Sequence, residues 1–240
     1  MCNTVQRGHA PNDRTEFGPA AVPMLHRAAQ NLYYLLNQGY PIKGAVVFVG
    51  NHYLLSERQR TALVRAISSR ESIENRKNKE FHELPQGSTV HIDGFNTIIT
   101  LEVALSGSLL LKCMDGTVRD LAALRGSYRL IDKTSQAILM IGLMLERNGV
   151  SKAVFYLDSP ISNSGRLKEQ IGALLKEFPF ELQFEVIHNV DVTLENLENV
   201  ITSDAIILDK CKSWFNLNSR IISENIGEYP FVDFAVPGLL

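Results

Sequence analysis

Val90-His91-Ile92-Asp93-Gly94-Phe95-Asn96 is the stretch whose reading decides the fold. A short apolar run ends in a carboxylate. A glycine follows at once, and an amide stands three residues after the acid. Read as a strand running into a helix, the stretch puts Asp93 at the carboxyl end of the strand, where open α/β sheets hold ligands. The plain alternative is that Asp93 only caps the helix that follows. The choice turns on whether other acids stand at other strand ends.

Downstream, helical and apolar segments alternate. Residues 97–105 read as a helix stopped by Ser106-Gly107, and residues 109–113 as a second strand running into Met114-Asp115-Gly116. After a charged, irregular loop, residues 133–148 form a long helix with Gly149 at its end. Residues 153–157 are a third strand ending at Asp158, followed by a helix from Ser164 or Gly165 to about Phe178. Residues 181–188 are a fourth strand, Thr193 caps a short helix, and 205–208 are apolar again after Ser203-Asp204. Residues 220–223 suit an edge strand. Strands separated by helices predict a mainly parallel sheet in a three-layer α/β/α sandwich. Unbroken apolar runs predict burial on both faces.

Upstream, residues 1–20 read as a flexible arm rich in polar residues, Gly and Pro. Residues 20–37 carry apolar side chains at helical spacing, and Gly39 and Pro41 end that helix. Residues 45–49 suit a strand or a buried helical turn. Ser56, with Gln59 three residues on, begins a helix to about Ile73. This helix and its tail carry Arg58, Arg60, Arg65, Arg70, Arg76, Lys77 and Lys79 against fewer acids. That is a local basic surface suited to phosphate contacts or to a solvated face. Pro85 and Gly87 mark a linker. The organisation is therefore a small, mostly helical module at 21–84 and an α/β domain at 88–240.

The 240-residue chain is 45% apolar and 21% charged, with a net charge of −2, so no global basic field points to nucleic acid. Three separated cysteines, Cys2, Cys113 and Cys211, make no CxxC pair. They argue against a disulfide framework and for a reducing, cytoplasmic setting. The longest apolar stretch is far shorter than the roughly 20 residues of a membrane span, so no membrane partner is expected.

Asp93, Asp115 and Asp158 all follow apolar segments, Asp191 lies three residues past the fourth strand, and Asp204 stands beside the last core element. Carboxylates gathered at one edge repel one another unless cations lie between them. Oxygen ligands without His or Cys suit Mg²⁺ or Mn²⁺. Asn96 could hold a water or a phosphate.

Asp93-Gly-Phe-Asn96 resembles the Asp-x-x-Asn opening of PIN-domain-like nucleases. Asn189-Val-Asp191-Val-Thr-Leu resembles the Val-Asp-x-x-Leu segment of the same branch, and Val200-Ile-Thr-Ser-Asp204 its Thr/Ser-x-Asp strand tip. Asp158 is similar in position to another acid of that superfamily. The likeness covers about residues 88–225, and the whole chain also resembles a cytosolic family in which a helical module precedes a PIN-like domain. The resemblance implies a PIN-like fold with Asp93, Asp158, Asp191 and Asp204 as metal-binding carboxylates, assisted by Asn96. It implies metal-dependent hydrolysis of RNA, single-stranded by preference, by activated water. Arg58, Arg60, Arg65 and Arg166 would contact the nucleic acid, and a homodimer is compatible. Two departures stand out: Glu195, not Asp, follows Asp191 by one turn, and the helix acid is not evident, Glu102 being read as a solvated residue.

Leu109-Leu-Leu-Lys-Cys113-Met-Asp115-Gly-Thr117 resembles the opening of haloacid-dehalogenase-like phosphatases, with Cys113 where that family has its nucleophilic Asp. The rival readings are therefore that phosphatase, or a non-catalytic RNA- or protein-binding module on the nuclease fold. Asp115 and Asp120 could instead join the acidic cluster, or order a loop through Arg119 and Arg125. Cys113, Cys211, Trp214 and Phe215 read as core, and His188 as structural. Ser159, Ser162, Ser164 and Arg166 precede a helix, a place that suits an anion.

Overall fold

Val90 and Ile92 are fully buried at the centre of the molecule. The computed structural model that shows this describes residues 5–122 and 126–235. In chain order the helices are α1 (Asp13–Glu16), α2 (Val22–Asn37), α3 (Ile42–His52), α4 (Glu57–Ala66) and α5 (Arg70–Asn78). Then come β1 (Glu80–Phe81), β2 (Thr89–Asp93), α6 (Gly94–Leu105), β3 (Leu110–Lys112), β4 (Val118–Asp120), α7 (Thr134–Arg147) and β5 (Lys152–Asp158). The rest are α8 (Ser164–Leu175), β6 (Glu181–Ile187), α9 (Val190–Leu194), β7 (Val200–Ile201), α10 (Ala205–Lys210), β8 (Trp214–Phe215), α11 (Leu217–Asn225) and β9 (Phe231–Asp233).

Six parallel strands form the main sheet in the order β1-β8-β7-β2-β5-β6. From β2 the chain builds outward on one side through β5 and β6. It then returns to the other side through β7 and β8, so the order reverses at β2. On one face Val90, Ile92, Phe155, Leu157 and Ile201 pack with apolar residues of α6, α7, α8 and α11. On the other, Val154, Tyr156, Val200 and Trp214 meet the short helices α9 and α10. The expected three-layer α/β/α arrangement is present. Burial on both faces fails at β6, which is partly exposed along most of its length and carries Gln183 and Glu185.

Gly94 explains how tightly α6 follows β2. A Cβ there would lie 2.6 Å from Leu157 Cδ2 and 3.0 Å from the Tyr156 carbonyl oxygen. Only a residue without a side chain lets the helix start against the neighbouring strand.

Several expectations need correction. The apolar run at 45–49 lies within helix α3. The single helix expected from Ser56 is two. The Ser56–Gln59 capping box starts α4, but Ile67 is extended and Ser69 caps α5 through the Ser72 amide. The cause is tertiary: the Ala66 carbonyl accepts the Met114 amide, and the Arg65 carbonyl accepts Arg119 Nη1. The last carbonyls of α4 thus find partners outside a continuing helix. The strand expected at 109–113 forms as β3, yet in a separate sheet of order β4-β3-β9, antiparallel to β4 and parallel to β9. Residues 220–223 are helical within α11, with Leu217, Ile221 and Ile222 buried on one face. Trp214 and Phe215, expected as core, are buried and form β8.

The helical module is not a separate body. Leu25, Leu32 and Leu63 share a core with Leu111, Met114, Val232 and Phe234 of the second sheet and its flanks. Among the described residues no helix is long and apolar enough to cross a membrane. Cys2 and Arg125 lie outside the described residues.

Candidate active site

Asp93 is both a helix cap and a pocket wall. Its Oδ1 accepts the Asn96 amide at 3.4 Å and its Oδ2 the Thr202 hydroxyl at 2.8 Å. The first bond is the capping role and the second ties β2 to the end of β7. Asn96 continues that tie: its Oδ1 accepts the Ser203 amide at 2.8 Å and the Ser203 hydroxyl at 2.9 Å. Asn96 is therefore a brace between α6 and the β7 tip.

The other acids arrive from neighbouring strands. Asp158 ends β5, which pairs directly with β2. After β6 the chain turns through Asn189 at φ +59°, and Asp191 falls in the first turn of α9. The expected cap of this helix, Thr193, is four residues late: Asn189 holds that place. Asp204 caps α10, its Oδ1 accepting the Ile206 amide at 2.8 Å and the Ile207 amide at 3.3 Å. Asp93, Asn96, Asp158, Asp191 and Asp204 all line one pocket of about 260 Å³ at the carboxyl edge of the sheet. It opens at β2, where the strand order reverses.

Charge in the pocket is frustrated. Burial pushes the Asp93 carboxyl up to about 7, the carboxylates of Asp204 and Asp191 push the same way, and the Thr202 bond opposes them. Asp191 is raised by burial and then by Asp204, Asp158 and Glu195. Asp158 is raised by burial, against the Val190 amide. Glu195 forms an ion pair with Lys210.

Two further charged residues, Asp120 and Arg65, line the walls beside Phe95, Ile99 and Ala122. Asp120 accepts the Thr100 hydroxyl at 2.7 Å and the Ala122 amide at 2.8 Å. Arg65 reaches in from α4, bonding the Asp120 carbonyl and lying 3.5 Å from its carboxylate. Of the four arginines expected to contact nucleic acid, Arg65 alone lines this pocket. Arg58 is engaged by Asp13 and by the Gly8 and Leu121 carbonyls. Arg60 bonds the Leu55 and Val47 carbonyls. Arg166 is exposed on α8. The basic face read from the sequence is thus largely turned to internal use, with Arg76 buried as well.

Asp115 does not join the acids. It is 1% exposed and sits between Arg76 at 2.6 Å and Arg119 at 2.5 Å. Burial works against its ionisation, yet Arg119 and Arg76 outweigh it and hold the carboxyl below its usual value. Cys113 beside it is fully buried and its thiol is pushed up to about 11 by burial. The phosphatase-like motif therefore forms a closed structural turn. Glu102 is fully buried, not solvated, and binds Arg7, Tyr128 and Thr134. Ser162 accepts the Tyr128 amide and Asn163 donates to the Tyr128 carbonyl, so the start of α8 is tied to that loop.

The donor set is all oxygen, which suits a hard divalent cation. Among the described residues no group of three or more His, Cys, Asp or Glu side chains is placed to hold a metal ion. Mg²⁺ commonly keeps several waters and takes only one or two carboxylates. Burial first, and then the neighbouring carboxylates, raise Asp93 and Asp191, and a bound cation would oppose both effects. The oxygen donors lining the pocket are of the kind such an ion takes.

Comparison with known proteins adds kinship. Residues 24–79 match the family model described as "Protein of unknown function (DUF434)". Residues 82–220 match "Domain of unknown function (DUF5616)". The two matches meet beside the Pro85–Gly87 linker. The pocket carboxylates fall in the second and Arg65 in the first. The "Uncharacterized protein MJ0935" of Methanocaldococcus jannaschii is 35% identical over 186 residues, covering 77% of this chain and 88% of that protein. No solved structure matches the chain.

Proposed function

We propose that this chain, which belongs to the family of the Domain of unknown function (DUF5616), is a metal-dependent hydrolase of single-stranded RNA phosphodiesters, of PIN-like type. The observation that carries the reading is the shared pocket: Asp93, Asp158, Asp191 and Asp204, from four separate segments, line one cavity where the strand order reverses. Asp93, Asp158, Asp191 and Asp204 would hold Mg²⁺ or Mn²⁺. Such an ion, when bound, lowers the pKa of water and polarises a phosphoryl oxygen.

The chain's own residues supply the rest. Thr202 and Asn96 fix Asp93 and the β7 tip, so the wall is set before substrate arrives. Asp191 is exposed, so its carboxylate would meet the ion from the solvent side of the pocket. Arg65 is the cation in the wall and would meet the phosphate charge.

A second reading, a non-catalytic RNA-binding module, draws on the finding that no three described ligands are placed to hold a metal. One experiment separates them. Unmutated protein is expected to cleave single-stranded RNA with Mn²⁺, and Asp93→Asn to lose this at least 100-fold with an unchanged circular dichroism spectrum. Absence of cleavage by the unmutated protein under both Mg²⁺ and Mn²⁺ would leave the binding module.

A further inference from the structure

The acidic pocket does not end at Asp204. A second cavity of about 280 Å³ adjoins it and shares Arg65, Asn96, Asp120 and Asp204 with it. Its outer walls are Val64 from α4 and Ile206 from α10. These side chains are 42% and 57% exposed although apolar. They come from the two segments that match different family models, so the groove lies across the junction of the helical module and the α/β domain.

We propose that this groove is a subsite for one unpaired nucleotide, with its base between Val64 and Ile206 and its phosphate toward Arg65. The inference rests on the hydrolase reading for the direction of the chain into the acidic pocket. Three observations fix the occupant. The groove shares four lining residues with the carboxylate pocket, so a strand with one phosphate in the pocket would bring a neighbouring nucleotide to the groove. Its exposed cation is the Arg65 guanidinium, 37% exposed, held by Asp120 through Nη1 alone and a planar donor suited to phosphate. The other arginine lining the groove, Arg119, is engaged by Asp115 and by the Ser203 and Arg65 carbonyls.

Apolar side chains lining a groove bind the flat face of a base without reading its edge. The volume lies close to the lower bound, roughly 300 Å³, of small-ligand pockets, so it suits a single nucleotide. A duplex keeps its base faces within the stack and offers none to such a groove without extruding a nucleotide. The groove therefore selects single strands, with tolerance for base identity.

The test is binding, measured apart from cleavage. A short fluorescent single-stranded RNA is titrated in Mg²⁺ onto Asp93→Asn protein, followed by anisotropy. Val64→Ser and Ile206→Ser, each added to that background, should weaken binding about tenfold, while Ile206→Phe retains or strengthens it. The same RNA in duplex form should bind weakly and respond to none of these changes. Both side chains are exposed, and unchanged unfolding midpoints will show that the variants are folded. Equal affinity in all variants overturns the subsite, as does a duplex that binds as well as the single strand. If the unmutated protein cleaves RNA while Val64→Ser and Ile206→Ser leave binding unchanged, the subsite falls and the hydrolase stands. If it cleaves nothing while both substitutions weaken single-strand binding, the subsite stands and hydrolysis falls.

Discussion

At the scale of single residues, Asp93 shows that a cap and a functional acid are not alternatives. The same carboxylate takes the Asn96 amide and faces the pocket. This position carries a stability cost. The Asp93 carboxyl is raised from 3.8 to about 7, foremost by burial. Between these values the unfolded chain loses its proton while the folded chain keeps it, so folding stability falls as pH rises. Above about 7 the cost is complete. Asp93→Asn removes the ionisable group. In metal-free buffer its gain in Tm over the unmutated protein should be larger at about pH 8 than at about pH 4. Mg²⁺ at the higher pH should raise the Tm of the unmutated protein more than that of the variant. A gain of the same size at both pH values would remove Asp93 as a frustrated carboxylate.

Legibility at this scale followed locality. Asp93, Asp158, Asp191 and Asp204 could be found because each stands just beyond an apolar run or before a helix start, a signal held within a few residues. Asp115 has the same local signal and the opposite fate. The short run before it cannot reveal that β3 pairs with β4 and β9 rather than with the main sheet. Asp120 could be read either as a member of the acidic cluster or as a loop acid, and the contact with Arg65 that sets it in the pocket wall spans 55 residues. Arg58, Arg60 and Arg65 look alike along the helix, and internal acceptors engage all three, yet the third also lines the pocket.

At the scale of elements, the break between α4 and α5 has a purpose in packing. It lets the β3–β4 hairpin take the last carbonyls of α4 through Met114 and Arg119. It also sends Arg76 on α5 into a buried cluster, where it bonds Asp115 and both carboxylate oxygens of Asp209 on α10. Ser68-Ser69 was a visible signal for a second helix start, but a continuing apolar pattern through Ile67 and Ile73 hid it. Because Arg76 is 3% exposed and Asp115 1%, removing the cation leaves a buried carboxylate with Arg119 alone. Arg76→Ala should therefore cost about 3–5 kcal/mol in chemical denaturation. A loss below about 1 kcal/mol, the range of surface pairs, would show that the cluster is not a structural joint. Arg76→Lys keeps the charge but loses the forked contact to Asp209 and should recover only part of the stability.

At the scale of the whole molecule, the linker at 82–87 is a boundary in sequence and not in packing. Family models divide the chain there, into 24–79 and 82–220. Yet β1, just before the linker, pairs with β8 in the main sheet, and the helices share a core with β3 and β9. Removing residues 1–81 would uncover Leu109, Leu111, Cys113, Met114, Leu121 and Phe234, each at most 6% exposed in the intact chain. It would also remove Arg65 from one wall of the pocket and Val64 from the groove. Large uncovered apolar surfaces drive association. A fragment of 82–240 alone is therefore expected to aggregate or to bind a hydrophobic dye strongly, whereas the intact chain unfolds in one cooperative transition. Co-expression of 1–81 with 82–240 should restore a soluble pair, because the packing, the ion pairs of Arg76 and the short strand pairing between them need no covalent link. A fragment of 82–240 that is monomeric, dye-free and sharply melting would show two independent domains, and with them a pocket that needs no help from the helical module.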